Sequence, residues 1–272
     1  MDADYSRLSE TRLNSMAGMK ILKHFFDDVR LKTNVGKYGT MEDWIASHKD
    51  KPYIQRFVAH SVSVLNRTEP LALRKAFEIY SGYGSIRMFR PMIATFLIDR
   101  FHPKSILDPC AGWGGRCLGA MARNVNYTGY DTNLSLIEPY AKMREFVGDR
   151  TTSEVILCSV NSTEQSIPAD TYDMVLTSPP YWKTNTTLIE TYEHMPEYVN
   201  EADFNERFLF PMIEKTYTAL KRGGAYCIST DVRQYQHFKL KLGEPTEQHS
   251  YPRQGRTTNI AYGDFIYVWV KT

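Results

Sequence analysis

Cysteine is scarce in this chain. Four occur among 272 residues, at positions 110, 117, 158 and 227, and none forms a Cys-x-x-Cys pair. That spacing argues against a zinc ribbon or a disulfide framework and suits a reducing compartment. Long apolar runs are also missing. No stretch of about 18 apolar residues occurs, so no membrane-spanning helix and no membrane partner are expected. The first residues, MDADYSRLSETRLN, hold no apolar signal core. A cytoplasmic chain is the expectation, or one inside a host cell if the source is viral. No internal repeat or low-complexity tract appears. Excess charge is small: the net of +2 does not by itself name a nucleic-acid partner. Its placement says more. Residues 1–75 carry 13 Lys and Arg against 9 Asp and Glu, and the other 197 residues carry 20 against 22. A basic front on a mildly acidic body suits a phosphate-facing segment, and equally an ordinary solvated surface. The 42% hydrophobic and 24% charged content is that of a globular chain with a core.

The pattern changes near residue 85. Before it, only helices are predicted. Ser15–Arg30 places Met16, Met19, Ile21, Leu22, Phe25, Phe26 and Val29 near helical spacing. Thr40 reads as the N-cap of MEDWIASHK, and Pro52 sits near the start of a helix through Asn66. Glu69–Tyr80 reads as another, with Leu71, Leu73, Phe77 and Ile79 inward. SGYGS at 81–85 breaks the chain. After a helix over Pro91–Phe101, apolar runs at 105–110, 125–131, 154–159, 172–178 and 224–230 read as strands. Helical segments Gly115–Arg123, Leu134–Phe146 and Phe204–Leu220 lie between them. This alternation predicts an α/β fold with a mostly parallel sheet. FIYVWVK at 265–271 reads as an added edge strand, antiparallel in sense. Two regions are expected: a helical 1–85 as a possible DNA contact, and an α/β domain over 86–272.

The first glycine-rich turn, SILDPCAGWGGRCLGAMAR, follows a strand that ends at Asp108. Gly112, Gly114 and Gly115 allow a ligand close to the backbone, at the place where open α/β sheets bind ligands. The spacing is not the G-x-G-x-x-G of dinucleotide sites, and a carboxylate at Asp108 would gain a phosphate cradle nothing. It suits a cationic amine or hydroxyls instead. Asp131, 23 residues on, ends the second strand, where an acid can accept both hydroxyls of a ribose; the alternative is a helix N-cap for TNLSLIE. A nucleoside with a cationic tail and no phosphates is implied, and S-adenosylmethionine (SAM) fits. Trp113 serves the adenosine, the substrate channel or plain packing. Cys110 and Cys117 read as small core residues rather than nucleophiles.

The second motif is YDMVLTSPPYW at 172–182. Two prolines directly after a strand cannot continue a ladder, and they lock the backbone. The result is a stiff turn with a serine hydroxyl, free carbonyls and an aromatic ring. This strand end, with the glycine turn before it, resembles that of the SAM-dependent amino-methyltransferases, and the resemblance implies an exocyclic amine as acceptor. Such an amine on an aromatic ring is a poor nucleophile, because its lone pair is delocalised. The resemblance places acceptors at its two hydrogens, here Ser178 Oγ and the Pro179 carbonyl, which draw the nitrogen toward tetrahedral geometry. It implies that Tyr181 stacks on a base flipped out of a duplex.

Together, Asp-Pro-x-Ala-Gly-x-Gly and Ser-Pro-Pro-Tyr resemble the SAM-dependent DNA amino-methyltransferases over residues 86–231. The Leu176–Tyr181 form is similar to that of N4-cytosine enzymes, with N6-adenine enzymes close behind. The resemblance implies a Rossmann-like methyltransferase fold: a mostly parallel seven-stranded sheet, helices on both faces, and a helical N-terminal extension. It implies SAM as cofactor, double-stranded DNA as partner, no metal, and a restriction-modification setting. It implies cofactor contacts at Phe89, Asp108, Cys110, Ala111, Gly112, Trp113, Gly114, Asp131, Asn161 and Ser178. Ser178, Pro179, Pro180 and Tyr181 would be catalytic, and Tyr181, Trp182 and Lys183 would meet the substrate. Arg87 or Arg90 would pair the cofactor carboxylate, or lie at the surface. Asn161 stands where the family often has an acid near the adenine. Thr230 and Asp231 shape the pocket or cap a helix. RNA or protein-amide transfer on the same scaffold, and a non-catalytic SAM-fold protein, are the rival readings. Candidates for target reading are 183–200, the helical front, and 234–256 with Lys239, Lys241, Arg253 and Arg256.

Overall fold

The computed structural model describes residues 15–33, 39–81, 88–148, 154–157, 162–182, 198–250 and 264–272. Arg87, Cys158, Asn161, Lys183, Arg253 and Arg256 lie outside the described residues. The described chain divides into two compact units. One holds residues 15–25, 88–182 and 198–272, and the other holds 26–81.

The smaller unit is helical. It contains the C-terminal part of α1 (Met19–Arg30), then α2 (Met41–His48), α3 (Pro52–Ser63) and α4 (Glu69–Tyr80). Thr40 caps α2 as expected: Asp43 N–H donates to its hydroxyl at 3.3 Å, and Asp43 reaches back in a full capping box. Trp44, Ile54 and Phe77 are fully buried, with the Trp44 and Phe77 rings 5.6 Å apart. The inward face of α4 differs from the sequence expectation. Leu71 (48% exposed) and Ile79 (53%) point outward, while Ala72, Ala76 and Phe77 are buried. Small alanines admit a neighbouring helix close to the backbone, and that contact wins over the larger aliphatics. A buried ion cluster crosses the unit, with Asp27 accepting from Arg30 (2.9 Å) and from Arg74.

The larger unit is α/β. Its strands are β1 (Ser105–Asp108), β2 (Asn126–Asp131), β3 (Glu154–Leu157), β4 (Tyr172–Thr177), β5 (Leu220–Asp231), β6 (Glu247–Ser250) and β7 (Asp264–Val270). They form one seven-stranded sheet in the order β3-β2-β1-β4-β5-β7-β6. β1 to β5 pair in parallel, and β7 runs antiparallel to both β5 and β6. The last run of the sequence is therefore antiparallel as expected, but it is interior rather than an edge. The edge is β6, whose polar sequence EQHS carries no strand signature.

Consecutive residues Met174–Thr177 on β4 and Ala225–Thr230 on β5 are all buried. Side chains alternate between faces along a strand, so an unbroken buried run requires cover on both faces. Helices α5 (Pro91–Phe101), α6 (Gly115–Met121), α7 (Ile137–Val147), α8 (Glu201–Phe204), α9 (Phe210–Ala219) and α10 (Val232–Leu242) belong to this unit. α5 and α6 cross very closely. A Cβ on Gly115 would stand 2.0 Å from the Phe89 carbonyl oxygen, and one on Gly119 would stand 2.5 Å from Ala94 Cβ. Asp173 ties the start of β1 to β4 by accepting the Lys104 and Ser105 N–H groups at 2.9 and 3.0 Å.

Candidate active site

The sheet reverses its winding direction between β1 and β4. Strands β2 and β3 extend to one side of β1, and β5 extends to the other side of β4. Such a switch point opens a crevice at the carboxyl ends of the strands. Both motifs singled out from the sequence lie there: the glycine turn leaves β1, and Ser-Pro-Pro-Tyr leaves β4.

In the glycine turn, Gly112 (φ +57°) and Gly114 (φ +76°) take left-handed backbone that side chains resist. Hydrogen bonds from three directions tie the turn to its surroundings. Ala111 N–H donates to the Tyr130 carbonyl (2.8 Å) and Gly112 N–H to Asp131 Oδ2 (2.6 Å). The Tyr140 hydroxyl donates to the Gly112 carbonyl (2.8 Å). Asp131 Oδ1 accepts from Asn133 N–H at 3.0 Å. The cap of the following 3₁₀ turn is Asn133, so Asp131 is not a helix cap. Burial pushes the Asp131 carboxyl up from its ordinary value, and the Asn133 and Gly112 N–H bonds partly offset this. The residue is half-buried, and each oxygen accepts one hydrogen bond, which leaves each a second lone pair.

Asp108 differs from the sequence expectation. It is fully buried, and its carboxylate is already matched. Oδ2 accepts from Arg116 Nε (2.6 Å) and from the Tyr127 hydroxyl (2.6 Å). Oδ1 accepts from Cys110 N–H (3.2 Å) and from Arg116 Nη2 (3.4 Å). Four acceptor positions are filled, so this carboxylate positions the turn rather than meeting a cationic ligand. Arg116 also donates to the Cys110 carbonyl and lies 4.9 Å from the centre of the Phe89 ring. Burial opposes its charge, but Asp108 holds the guanidinium above its ordinary range. Burial, then the negative charge of Asp108, pushes the Tyr127 hydroxyl up as well. Phe89 (8% exposed) and Trp113 (8%) are buried, and so is Ala111. Arg90 is buried next to the start of α5. The Cys110 thiol lies 3.9 Å from Met212 Sδ; burial first, then Asp108 and Asp131, push it far from thiolate character. Neither Cys110 nor the fully buried Cys117 is suited to nucleophilic work.

In the second turn Pro179 is buried, and Ser178, Pro180, Tyr181 and Trp182 are half-buried. The Pro180 carbonyl accepts from Gln234 Nε2 at 2.7 Å. The Trp182 ring lies 5.8 Å from that of Phe204. Tyr181 and Trp182 line a small cleft together with Glu201, Phe204, Asn205, Asp231, Arg233, Gln234 and His237. Inside it, Glu201 pairs with Arg233, and His237 Nε2 stands 3.2 Å from Asn205 Nδ2. Asn205 opens a five-residue π-helical segment, Asn205–Leu209, between α8 and α9. Such segments cluster at functional sites. Asp231 does cap α10, its carboxylate accepting from Gln234 N–H at 2.8 Å, whereas the Thr230 hydroxyl donates to the Gln234 side chain. Sequence reasoning missed the π segment and the role of Gln234, since neither leaves a periodic signal.

The expected phosphate contacts fare less well. Lys239 pairs with Glu244 (2.5 Å) and Lys241 with Glu214 (2.6 Å). The described residues of the helical unit, 26–81, hold eight Lys and Arg against seven Asp and Glu, so its basic excess is slight. No group of three or more metal-ligating side chains occurs among the described residues. No helix among them is long and apolar enough to cross a membrane.

No family model matches the chain, and no curated protein does. Solved structures align with it at low identity. TrmN from Thermus thermophilus is 17% identical, with a TM-score of 0.45, over 67% of this chain and 49% of that one. A SAM-dependent O-methyltransferase from Thermotoga maritima is 14% identical, with a TM-score of 0.46, over 68% of this chain and 67% of that one. TehB from Haemophilus influenzae is 13% identical, with a TM-score of 0.45, over 66% of this chain and 62% of that one. The chain therefore spans about half the length of the first of these and about two thirds of the other two.

Proposed function

We propose that the chain transfers a methyl group from SAM to an exocyclic amino group of a flipped base in double-stranded DNA, with cytosine N4 the favoured acceptor. One observation carries the reading. A glycine turn with an acid on the next strand, and a Ser-Pro-Pro-Tyr turn, flank the same switch point on adjacent parallel strands in register at Ile106↔Met174 and Leu107↔Val175. A donor site and an acceptor site are thereby neighbours at one sheet edge.

The residues fit the cofactor. Gly112 and Gly114 admit a ligand against the backbone, and Asp131 keeps a lone pair on each oxygen for two ribose hydroxyls. The buried Asp108–Arg116 pair is balanced, which leaves Asp131 as the carboxylate of this turn with acceptor capacity for a ligand. When bound, SAM supplies an electrophilic methyl group on a sulfonium. The chain's part is positioning. Ser178 Oγ and the Pro179 carbonyl accept hydrogen bonds from the two amine N–H groups and localise the lone pair, and Tyr181 stacks on the base; the nitrogen would gain the methyl group as its bond to sulfur breaks to leave a neutral thioether, and one amine proton would then pass to solvent. The test is incubation with methyl-labelled SAM and, separately, duplex DNA, RNA and protein. Label in DNA that is lost in Ser178→Ala supports the reading; label only in RNA or protein overturns it.

A further inference from the structure

We infer that Gln234 is a positioning residue that aims the Ser-Pro-Pro-Tyr turn by holding the Pro180 carbonyl. Its kinetic consequence rests on the methyltransferase reading above; its structural consequence does not.

The argument begins with what prolines lack. Pro179 and Pro180 have no N–H, so the turn cannot anchor itself through the donors that ordinary turns use. Their rings fix φ at both positions. The dihedral left to set the direction of the next residue is ψ of Pro180, and the planar peptide carries that choice directly to Tyr181. The Pro180 carbonyl reports this dihedral, and it accepts a bond from Gln234 Nε2 at 2.7 Å. Gln234 is itself held at two more points. Its Oε1 accepts from the Thr230 hydroxyl at 2.6 Å, and its N–H donates to Asp231 Oδ1 at 2.8 Å. Gln234 is 6% exposed and Thr230 is fully buried on β5. That strand is the direct parallel neighbour of β4, paired at Thr177↔Ile228. The bracket thus runs from the sheet interior through Thr230 and Gln234 to Pro180, and fixes where Tyr181 points. A helix cap needs only Asp231; the side-chain amide of Gln234 is surplus to capping.

Two variants separate positioning from folding. Gln234→Met keeps the volume and removes the donor. Gln234→Glu keeps the shape, but at neutral pH it sets a carboxylate against the Pro180 carbonyl. When protonated, its O–H can donate to Pro180 while its other oxygen still accepts from Thr230. A glutamate titrates near pH ~4.3, and higher when buried, so lowering the pH restores the bond in this variant alone. The readout is the fluorine spectrum of 5-fluorotryptophan-labelled protein, which has four tryptophans, at 44, 113, 182 and 269. Trp182 follows the turn and is assigned with Trp182→Phe. The Trp182 resonance is expected to move in both variants at pH 8, with the other three in place. At pH 5 it returns toward its native position in Gln234→Glu and stays displaced in Gln234→Met. Turnover with saturating DNA falls about tenfold in both at pH 8, the worth of one such bond, with KM for SAM unchanged. It recovers at low pH only in Gln234→Glu. An unmoved Trp182 resonance, equal movement of all four, or the same pH response in both variants overturns the inference. If the native protein transfers no methyl group, the methyltransferase reading fails, and the resonance still decides the role of Gln234.

Discussion

Removing the Arg116 side chain tests how the glycine turn is built. In Arg116→Met, Asp108 stays fully buried and loses its ion pair. The native pair spans 2.6 Å, with side-chain exposures of 4% and 0%. Breaking one side of a buried pair costs roughly 3–5 kcal/mol, because the remaining charge has no counter-ion. The bond to the Cys110 carbonyl and the contact with the Phe89 ring add about 1 kcal/mol each. Tyr127 and Cys110 N–H still donate to Asp108, so the pair's own cost is expected at the lower end of that range, which makes about 5 kcal/mol in all. Asp108→Asn in the same background removes the buried charge and keeps an acceptor for Tyr127. The double variant is therefore expected to regain at least about 1 kcal/mol over Arg116→Met. Urea unfolding of the native protein, both single variants and the double variant closes the cycle. A loss below about 1 kcal/mol in Arg116→Met, or strict additivity across the cycle, would refute the account of Asp108 as a matched, buried charge.

Gly115→Ala places a Cβ 2.0 Å from the Phe89 carbonyl; it is expected to cost at least about 2 kcal/mol in urea unfolding and to weaken SAM binding in calorimetry. A cost under about 0.5 kcal/mol would show that α5 and α6 can slide apart. Asp131→Asn is expected to reduce SAM affinity at least about tenfold, since a charged acceptor toward the ribose is lost; unchanged affinity would remove Asp131 from the site. Asp173 has its carboxyl held low: burial opposes this, but the Lys221 ammonium and the Lys104 and Ser105 donors outweigh it. A lowered folded-state pKa contributes stability above the unfolded value, and that stability is lost as pH falls through the folded value. Native stability is therefore expected to fall below pH 3.8 more steeply than that of Asp173→Asn; parallel acid-unfolding curves would contradict this. In Cys158→Ser protein, the three remaining thiols are expected to resist an aromatic disulfide reagent until the chain unfolds, because Cys117 and Cys227 are buried and the Cys110 thiol is pushed up.

Much of the fold was legible because its elements carry strong periods. The runs ending at Asp108, Asp131 and Thr177 are short, apolar and bounded by turn residues, and each is a strand in the sheet. Thr40 with Asp43 is a capping pair that sequence shows directly. The misses have physical causes. On α4, large aliphatics suggested one face, but Ala72 and Ala76 mark where a neighbouring helix approaches. EQHS has too few apolar residues to look like a strand, and without it β7 looked like an edge. At the site, the spacing of Asp108 and the glycines was readable, but its neutralisation was not. Arg116 lies eight residues on, in the following helix, and only the fold brings its guanidinium back under the turn. Gln234 is similar: it bonds to a carbonyl 54 residues away, which no local pattern announces.

The proposed activity is methyl transfer to an exocyclic amine in DNA. Its most direct test is mass spectrometry of nucleosides from duplex DNA of mixed sequence after incubation with the protein and SAM. N4-methylcytosine is the expected product, absent with Ser178→Ala. N6-methyladenine would keep the amine chemistry and overturn the choice of base. 5-Methylcytosine, or DNA with no methylated nucleoside, would contradict the account.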